Sequence, residues 1–424
     1  MESLKGKKLL ILGGTAITSN IINKARELGV YTIATDYNDV KASPSKLLAD
    51  EHWEISLADI DLLAEKIKEE HIDGVFTNYT DSYLPYYVDI CEKAQLPCLA
   101  NKYQIDQISN KDLSKQMCIA HGISVSKEYI IEKPEDIDFI RFNYPVLTKP
   151  VDNSGQRGVY VCRNINELKR CYSESLNFSS SKHVIIEEYV EGDYVVMNFT
   201  VQDGRVTLSA MADKPVTGEF IENQPKLPQG YILPSKYTDL CDAIMTPKVQ
   251  SFVSDLGLKN GTIGIEGVVR DGDIFVFEMQ FRLGGMQHNN FVLVENGMDI
   301  MAMLIRFALT GKFEGWDTSK YENPRFKRHY CLLNYLIEPT KVAKIEGLND
   351  VVEMPQVYSY IQKLHEGESV KLAGTVQQIA FKFSIVEDTK EKLIGTIKDI
   401  YSKLKIYDEN GDDIVLHPTS ILEI

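Results

Sequence analysis

Gly264-Ile-Glu266-Gly-Val-Val-Arg270-Asp-Gly-Asp-Ile274-Phe-Val-Phe-Glu278-Met-Gln280-Phe-Arg282-Leu-Gly284-Gly285 reads as two antiparallel strands joined at Asp271-Gly272. That dipeptide supplies the left-handed residues a tight hairpin needs. Each strand delivers one glutamate from an apolar background, and pairing about a turn near residue 272 sets Glu266 opposite Glu278. Like charges facing each other destabilise a ladder unless something lies between them. A hard divalent cation fills that role, since Mg²⁺ binds through one or two carboxylates plus substrate phosphates. Gln280 falls on the same face and can add a carbonyl oxygen. Arg282, next on that face, offers a planar fork for a carboxylate or phosphate. The competing reading is an acidic sheet face left in water.

Upstream, residues 123–285 hold many short extended runs: YPVLTKP, GVYVC, HVIIEEYV, YVVMNFTVQDG and RVTLSAMADK before the hairpin itself. Asp203-Gly204 repeats the hairpin signal, so an antiparallel α+β unit is expected. In one run a strand ends at Lys149-Pro150 and opens into a loop with Ser154, Gly155, Arg157 and Gly158. Successive amides, a hydroxyl and a cation in such a loop can close over phosphates. It is not a Walker loop, because no G-x-x-x-x-G-K-[ST] is present and no helix follows. In another, Val184-Ile-Ile empties into Glu187 and Glu188 before a turn at Gly192, a strand end able to present amide groups to an adenine edge. An exposed, solvated turn is the plain alternative for both.

The first hundred residues alternate β-branched runs with amphipathic stretches: KKLLILGG, a helix over Thr18–Leu28, YTIATD, a helix over Asp59–Glu70, DGVFTNY, a helix over Leu84–Ala94, then LPCLAN. This βαβαβαβ rhythm gives a doubly wound parallel sheet with its crevice at the strand C-termini, where Gly13, Gly14, Asp36 and Asp81 fall. The run Gly13-Gly14-Thr15-Ala16-Ile17-Thr18 lacks two of the three glycines of a dinucleotide fingerprint, so it is read as a plain strand-to-helix turn. A helical segment through ISNKDLSKQMCIAHG stops at Gly122. Further helix is expected over Asp299–Thr310, a boundary near residue 325, and then a small α+β unit from HYCLLNYLI, TVQQIAFKFSIVE and EKLIGTIKDIYSKL.

Composition narrows the function. The 424 residues, at roughly 150 per domain, suggest about three domains. Forty-six Lys and Arg against 61 Asp and Glu leave a formal charge of −15. The summed field repels nucleic acid and anionic membranes, so neither is an expected partner. A nucleotide would then need a local basic pocket or a metal ion. No apolar stretch approaches the roughly 20 residues that span a bilayer. The opening MESLKGKKLLILGG lacks a signal-peptide core, and the seven scattered cysteines suggest neither disulfides nor zinc. A cytoplasmic protein is expected.

With the lysine strand, glycine loop, acidic hinge and paired glutamates in this order, the chain resembles the ATP-grasp superfamily over nearly its whole length. It looks most like the carboxylate-amine ligases, including L-amino-acid ligases, and carbamoyl-phosphate-synthase large-subunit-like proteins. The run KIEGLNDVVEMPQVYSY, with GESV and FKFSIVEDTKEKL after it, is similar to the C-terminal domain of amino-acid ligases. The resemblance implies a mixed α/β and α+β fold: a Rossmann-like domain over 1–110, a two-lobed ATP-grasp domain over 111–325 and a small α+β domain over 326–424. It implies that Lys111 and Lys149 contact ATP phosphates under a lid of Ser154, Gly155, Arg157 and Gly158. Glu187 would meet the adenine amino group, main-chain atoms of Glu188 and Val190 the ring edge, and Asp193 the ribose. Glu266, Glu278 and Gln280 would hold Mg²⁺ or Mn²⁺, and Arg282, with Lys149, would serve the reacting groups. Two positions depart from the family pattern: Tyr194 stands where an acid usually holds the ribose, and Gln280 where an asparagine usually ligates the metal.

The implied reaction is ADP-forming ligation of a small carboxylate, activated as an acyl phosphate, to an amine. Bicarbonate-activating carboxylation, carbamoyl-phosphate-type synthesis and a regulatory module that grips ATP without turnover are the rivals. The acceptor pocket is expected between the hairpin and the N-terminal sheet, with Asp81, Lys214, His288 and Asn289 as candidates. Small molecules are the expected partners, and a homodimer is left open.

Overall fold

Near-continuous apolar runs make strands that must be covered on both faces. In the computed structural model, which describes residues 2–152, 155–218 and 223–423, the runs β1 (Lys8–Leu12) and β2 (Tyr31–Thr35) are such strands. With β3 (Glu51–Trp53) and β4 (Gly74–Phe76) they form a parallel sheet in the order β3-β2-β1-β4. Helices α1 (Ser19–Glu27), α2 (Ile60–Glu69) and α3 (Leu84–Ala94) stand within a residue of the expected spans at each end.

Two expectations fail here. LPCLAN is not a strand: the Leu99 N–H goes to the Tyr87 hydroxyl at 3.2 Å, and Asn101 closes a capping box with Gln104 that starts a helix. The fourth strand is instead β3, three residues with a charged edge that carry no periodicity. The segment ending at Gly122 is two helices, α4 (Lys102–Ser109) and α5 (Lys111–Ala120), because the Asn110 side chain accepts from the N–H groups of Asp112 and Leu113 and starts a new helix.

Strands β5 (Glu128–Tyr129), β6 (Val146–Pro150), β7 (Tyr160–Cys162) and β8 (Val184–Glu188) make a small antiparallel sheet, order β5-β8-β6-β7, backed by α6 (Ile165–Asn177). A larger sheet begins with β9 (Asp193–Gln202), β10 (Arg205–Asp213) and β11 (Gly230–Leu233). After α7 (Thr238–Leu256) come β12 (Gly261–Arg270) and β13 (Asp273–Gln280). Helices α8 (His288–Asn296), α9 (Ile300–Thr310) and α10 (Thr318–Tyr321) lead to β14 (His329–Leu336), β15 (Lys344–Glu346), α11 (Leu348–Val352), β16 (Val357–Gln362), β17 (Ile379–Glu387), α12 (Lys390–Lys403) and β18 (Lys405–Tyr407). The order β13-β12-β9-β10-β11-β14-β17-β16 carries one eight-stranded sheet across residue 325. One apolar cluster joins Leu10 and Leu12 of the parallel sheet to Met197 and Ile265 of this large sheet, which fixes the two against each other. No helix among the described residues is long and apolar enough to cross a membrane.

Candidate active site

The two β-systems and the end of the parallel sheet enclose a cavity of about 750 Å³. Its walls are set by the β12–β13 hairpin. Arg270 pairs with Asp273 across Asp271 (φ 53°) and Gly272 (φ 80°), so the hairpin axis lies between residues 271 and 272, not at 272. Regular pairing would put Phe277 opposite Glu266. A bulge between Glu266 and Gly267 inserts one residue and brings Glu278 opposite Glu266. The glutamates therefore face each other through a bulge that the symmetric reading of the turn did not contain.

Both carboxylates line the cavity, together with Gln280 and Arg282. Burial, then Glu266 and then Asp81 push the Glu278 carboxyl above its usual range. Lys214 donates to Glu266 at 2.5 Å, and this pairing outweighs burial and holds the Lys214 ammonium well above its ordinary value. Among the described residues no three His, Cys, Asp or Glu side chains are arranged to hold a metal by themselves. The donor set fits a cation that completes its shell from phosphates. The Gln280 Oε1 lies 3.9 Å from where a Cβ would stand on Gly264 or on Gly284, so its carbonyl is turned into the same space.

At another wall, buried Glu187 accepts from Lys149 at 2.7 Å and from Lys115 at 3.4 Å. Burial acts to raise its pKa, but the two ammonium groups outweigh that and hold it below the usual range. Lys111 donates to the Pro150 carbonyl at 2.9 Å, and burial and Lys149 both depress it. Gly155 and Arg157 line the cavity, whereas Gly158 is packed on Phe178, where a Cβ would come within 2.6 Å of that side chain. Ser154 lies outside the described residues.

Several expected residues stand elsewhere. Glu188 and Val190 are outside the cavity lining, and the Glu188 N–H is spent on the Lys127 carbonyl at 2.8 Å. The Asp193 carboxylate is exposed and bound by the Tyr237 hydroxyl and, at 2.9 Å, by Lys236, while Tyr194 pairs with Tyr189. His288 and Asn289 are buried and do not reach the cavity; both ring nitrogens of His288 lack a partner, and burial drives its pKa down to about 3. A turn that starts a helix after two glycines is drawn into the core by Phe291 and Val292, and it carries these polar residues with it.

Asp81 and Arg282 do meet. The guanidinium donates to both Asp81 oxygens, through Nε at 2.8 Å and through Nη2, and to the Leu283 carbonyl at 3.1 Å. Asp81 arrives from the loop after β4, where Tyr79 takes a left-handed φ of 67°.

The sequence reading missed several lining residues: Lys115, Asn198, Tyr231, Lys363 and Lys382. Lys115 stands one helical turn beyond Lys111 and could have been found by that spacing. Asn198 pairs across from Gly264 on β9, and its Nδ2 is buried without a partner. Lys382 stands between Phe381 and Phe383, so strand alternation alone turns it away from the side they bury.

Residues 142–290 match the ATP-grasp domain. A formate-dependent phosphoribosylglycinamide formyltransferase of Sulfurisphaera tokodaii is 25% identical over 275 residues, 62% of this chain and 66% of that protein. A 2-oxoglutarate carboxylase small subunit of Hydrogenobacter thermophilus is 26% identical over 204 residues, 44% of this chain and 43% of that protein. The chain thus spans less than two thirds of either relative's length. The crystal structure of an L-amino acid ligase from Bacillus licheniformis superposes with a TM-score of 0.79 at 18% identity, covering 96% of this chain and 100% of that one. At that identity the likeness establishes a shared fold.

Proposed function

We propose that this chain, which carries an ATP-grasp domain, is an ADP-forming ligase that activates a small carboxylate and joins it to an amine. The observation that carries this reading is the convergence of Glu266, Glu278, Lys111, Lys149 and Arg282 on one cavity. We read residues 1–110, 111–325 and 326–424 as its three domains, the last sharing the large sheet, and place the enzyme in the cytoplasm.

In this reading Lys111, Lys149 and the loop of Ser154, Gly155, Arg157 and Gly158 receive the ATP phosphates. Lys149 exchanges its contact with Glu187 for phosphate, which frees Glu187 for the adenine amino group. Contact of Glu188 and Val190 main-chain atoms with the ring edge, and of Asp193 with the ribose, would require these residues to move to the cavity, Asp193 exchanging its bonds to Tyr237 and Lys236. Glu266, Glu278 and Gln280 would hold Mg²⁺ or Mn²⁺, which supplies charge neutralisation on the phosphates. Phosphoryl transfer needs little covalent help from side chains, because positioning and electrostatic stabilisation account for most of its catalysis. A substrate carboxylate oxygen attacks the γ-phosphorus, the bond to the β-phosphate oxygen breaks, and ADP departs. The amine nitrogen then attacks the acyl carbon, phosphate leaves, and the amine gives up a proton. Arg282, held flat by Asp81, orients the carboxylate. Closure of the glycine loop would keep water from the acyl phosphate.

The test is a screen of amino acids and small carboxylates for ADP release, run on wild type and on Glu278→Ala. The expected result is acceptor-dependent turnover that falls by about a hundredfold or more in the variant, the scale of losing a preorganised electrostatic group. A folded Glu278→Ala protein with near wild-type turnover overturns the metal assignment. The similarity to a 2-oxoglutarate carboxylase subunit favours a second reading, activation of bicarbonate; it predicts that bicarbonate, rather than any amine, stimulates ADP release. Tight ATP binding with no stimulation by any acceptor would point instead to a regulatory module.

A further inference from the structure

Charged groups taken out of water are ordinarily paired, because an isolated buried ion is costly. Three lysines at or beside this cavity obey that rule with carboxylates, Lys149 with Glu187, Lys115 with Glu128 at 2.9 Å, and Lys214 with Glu266, while Lys111 lies against the Pro150 carbonyl. Lys382 does not obey it. Its Nζ donates to the Gly285 carbonyl at 3.0 Å, and no carboxylate among the described residues stands within salt-bridge distance of it. A carbonyl accepts a hydrogen bond but does not neutralise the charge. The charged neighbour it feels is a second ammonium, that of Lys363, whose own acceptor is the Val376 carbonyl at 3.4 Å.

Two like charges, those of half-buried Lys382 and solvent-exposed Lys363, therefore line one wall of the cavity, and among the described residues neither has a carboxylate within salt-bridge distance. Burial, with a further push from Lys363, brings the Lys382 ammonium down to about 8. The strand dictates this placement. Phe381 and Phe383 of β17 pack into the C-terminal core, so Lys382 between them projects from the other face and meets the turn that follows Arg282. Gly285 stands three residues after Arg282, and a Cβ there would lie 3.6 Å from the Lys382 Nζ.

We propose that Lys382 and Lys363 form a subsite for a second anionic group, a carboxylate or a phosphate, beside the position that Arg282 serves. The inference rests on the ligase reading only in assigning that group to a substrate. One of the joined molecules is then a small compound with an anion at the end remote from its reacting centre. One anion answers two ammonium groups and removes their mutual repulsion.

The experiment uses the full chain saturated with Mg²⁺ and ADP, so that nucleotide phosphates already occupy their own lysines. Inorganic phosphate and, separately, succinate are titrated by isothermal calorimetry. Wild type is expected to bind at least one of them. Lys382→Met is expected to weaken that binding by about tenfold or more, the order of one charge-assisted hydrogen bond. Lys363→Met weakens it less, and Lys382→Arg retains most of it. The anion-free melting temperature of Lys382→Met stays level or rises, because a half-buried ammonium that rests on a carbonyl alone has gone. Tighter phosphate binding assigns a phosphoester; tighter succinate binding assigns a carboxylate.

Equal anion binding by wild type and Lys382→Met overturns the proposal, as does failure of wild type to bind either anion. A matching loss of ADP affinity in the variant also overturns it, since the lysines would then belong to the nucleotide. Failure of ADP to bind wild type while the anions still bind would sink the ligase reading and leave the subsite standing.

Discussion

His288 shows how a residue can look functional and be structural. In the sequence it is a histidine just beyond two glycines and an arginine. In the fold it is 1% exposed, with neither ring nitrogen partnered. A base held neutral at a pKa of about 3, against an ordinary value near 6.5, binds fewer protons folded than unfolded between those limits. Stability is therefore lost as pH falls from about 6.5 toward 3. Replacing the ring with leucine removes that dependence. Melting temperatures of wild type and His288→Leu across this range should diverge, with the variant flatter and its ATP turnover at neutral pH close to wild type. Parallel melting curves would show that the ring is not what senses acid. Glu278 is the opposite case: its unfavourable surroundings are useful only if a cation arrives. With ADP present, Mg²⁺ should raise the melting temperature of wild type and fail to do so for Glu278→Ala.

Among the elements, the β12–β13 hairpin governs the site, and its bulge is what aligns the two acids. Gly267 sits at that bulge, where a Cβ would come within 2.7 Å of the Phe275 carbonyl oxygen. Backbone cannot yield as a flexible side chain can. Gly267→Ala should cost about 1–3 kcal/mol of stability and reduce turnover without touching substrate, as read by denaturant titration beside the ADP-release assay. Unchanged stability and rate would mean the bulge tolerates the methyl group and does not govern the alignment. The hairpin itself was legible because Asp271-Gly272 carries its own φ requirement and the flanking strands are apolar. The bulge was not, since nothing local marks Phe277 as an extra residue. The same contrast runs through the fold. Helices with strong apolar periodicity, such as α1 to α3, stood out in the sequence. Strand β3 is too short to show a period, and α7 continues through Pro247, which reads as a breaker.

Across the whole molecule, the cavity draws on four parts of the chain: the loop after β4, the helices α4 and α5, the central sheets and the C-terminal strands. Residues that announce themselves locally, such as Glu266, Glu278 and Lys149, could be found from the sequence. Lys382 could not be joined to Gly285 from sequence, because 97 positions separate them and no motif links the two. The parallel sheet presents the same lesson in reverse. Its glycine turn resembles a nucleotide crevice, yet Lys46 fills it, pairing with Asp36 at 2.8 Å, and a Cβ on Gly14 would fall within 2.0 Å of the Asp36 carboxylate. What the N-terminal sheet supplies to the cavity is Asp81, the bidentate partner of Arg282, which is 10% exposed. If Arg282 receives the substrate carboxylate, Asp81 acts as a positioning residue that fixes the plane of the guanidinium. Asp81→Asn keeps the shape and one acceptor but loses the second charge-assisted bond. It should raise the KM for the carboxylate by about tenfold, leave ADP affinity unchanged, and lower kcat less than KM rises. A variant that loses ADP affinity to the same degree would show the pair to be a general domain clamp. One with unchanged KM would show that Arg282 needs no help to hold its orientation.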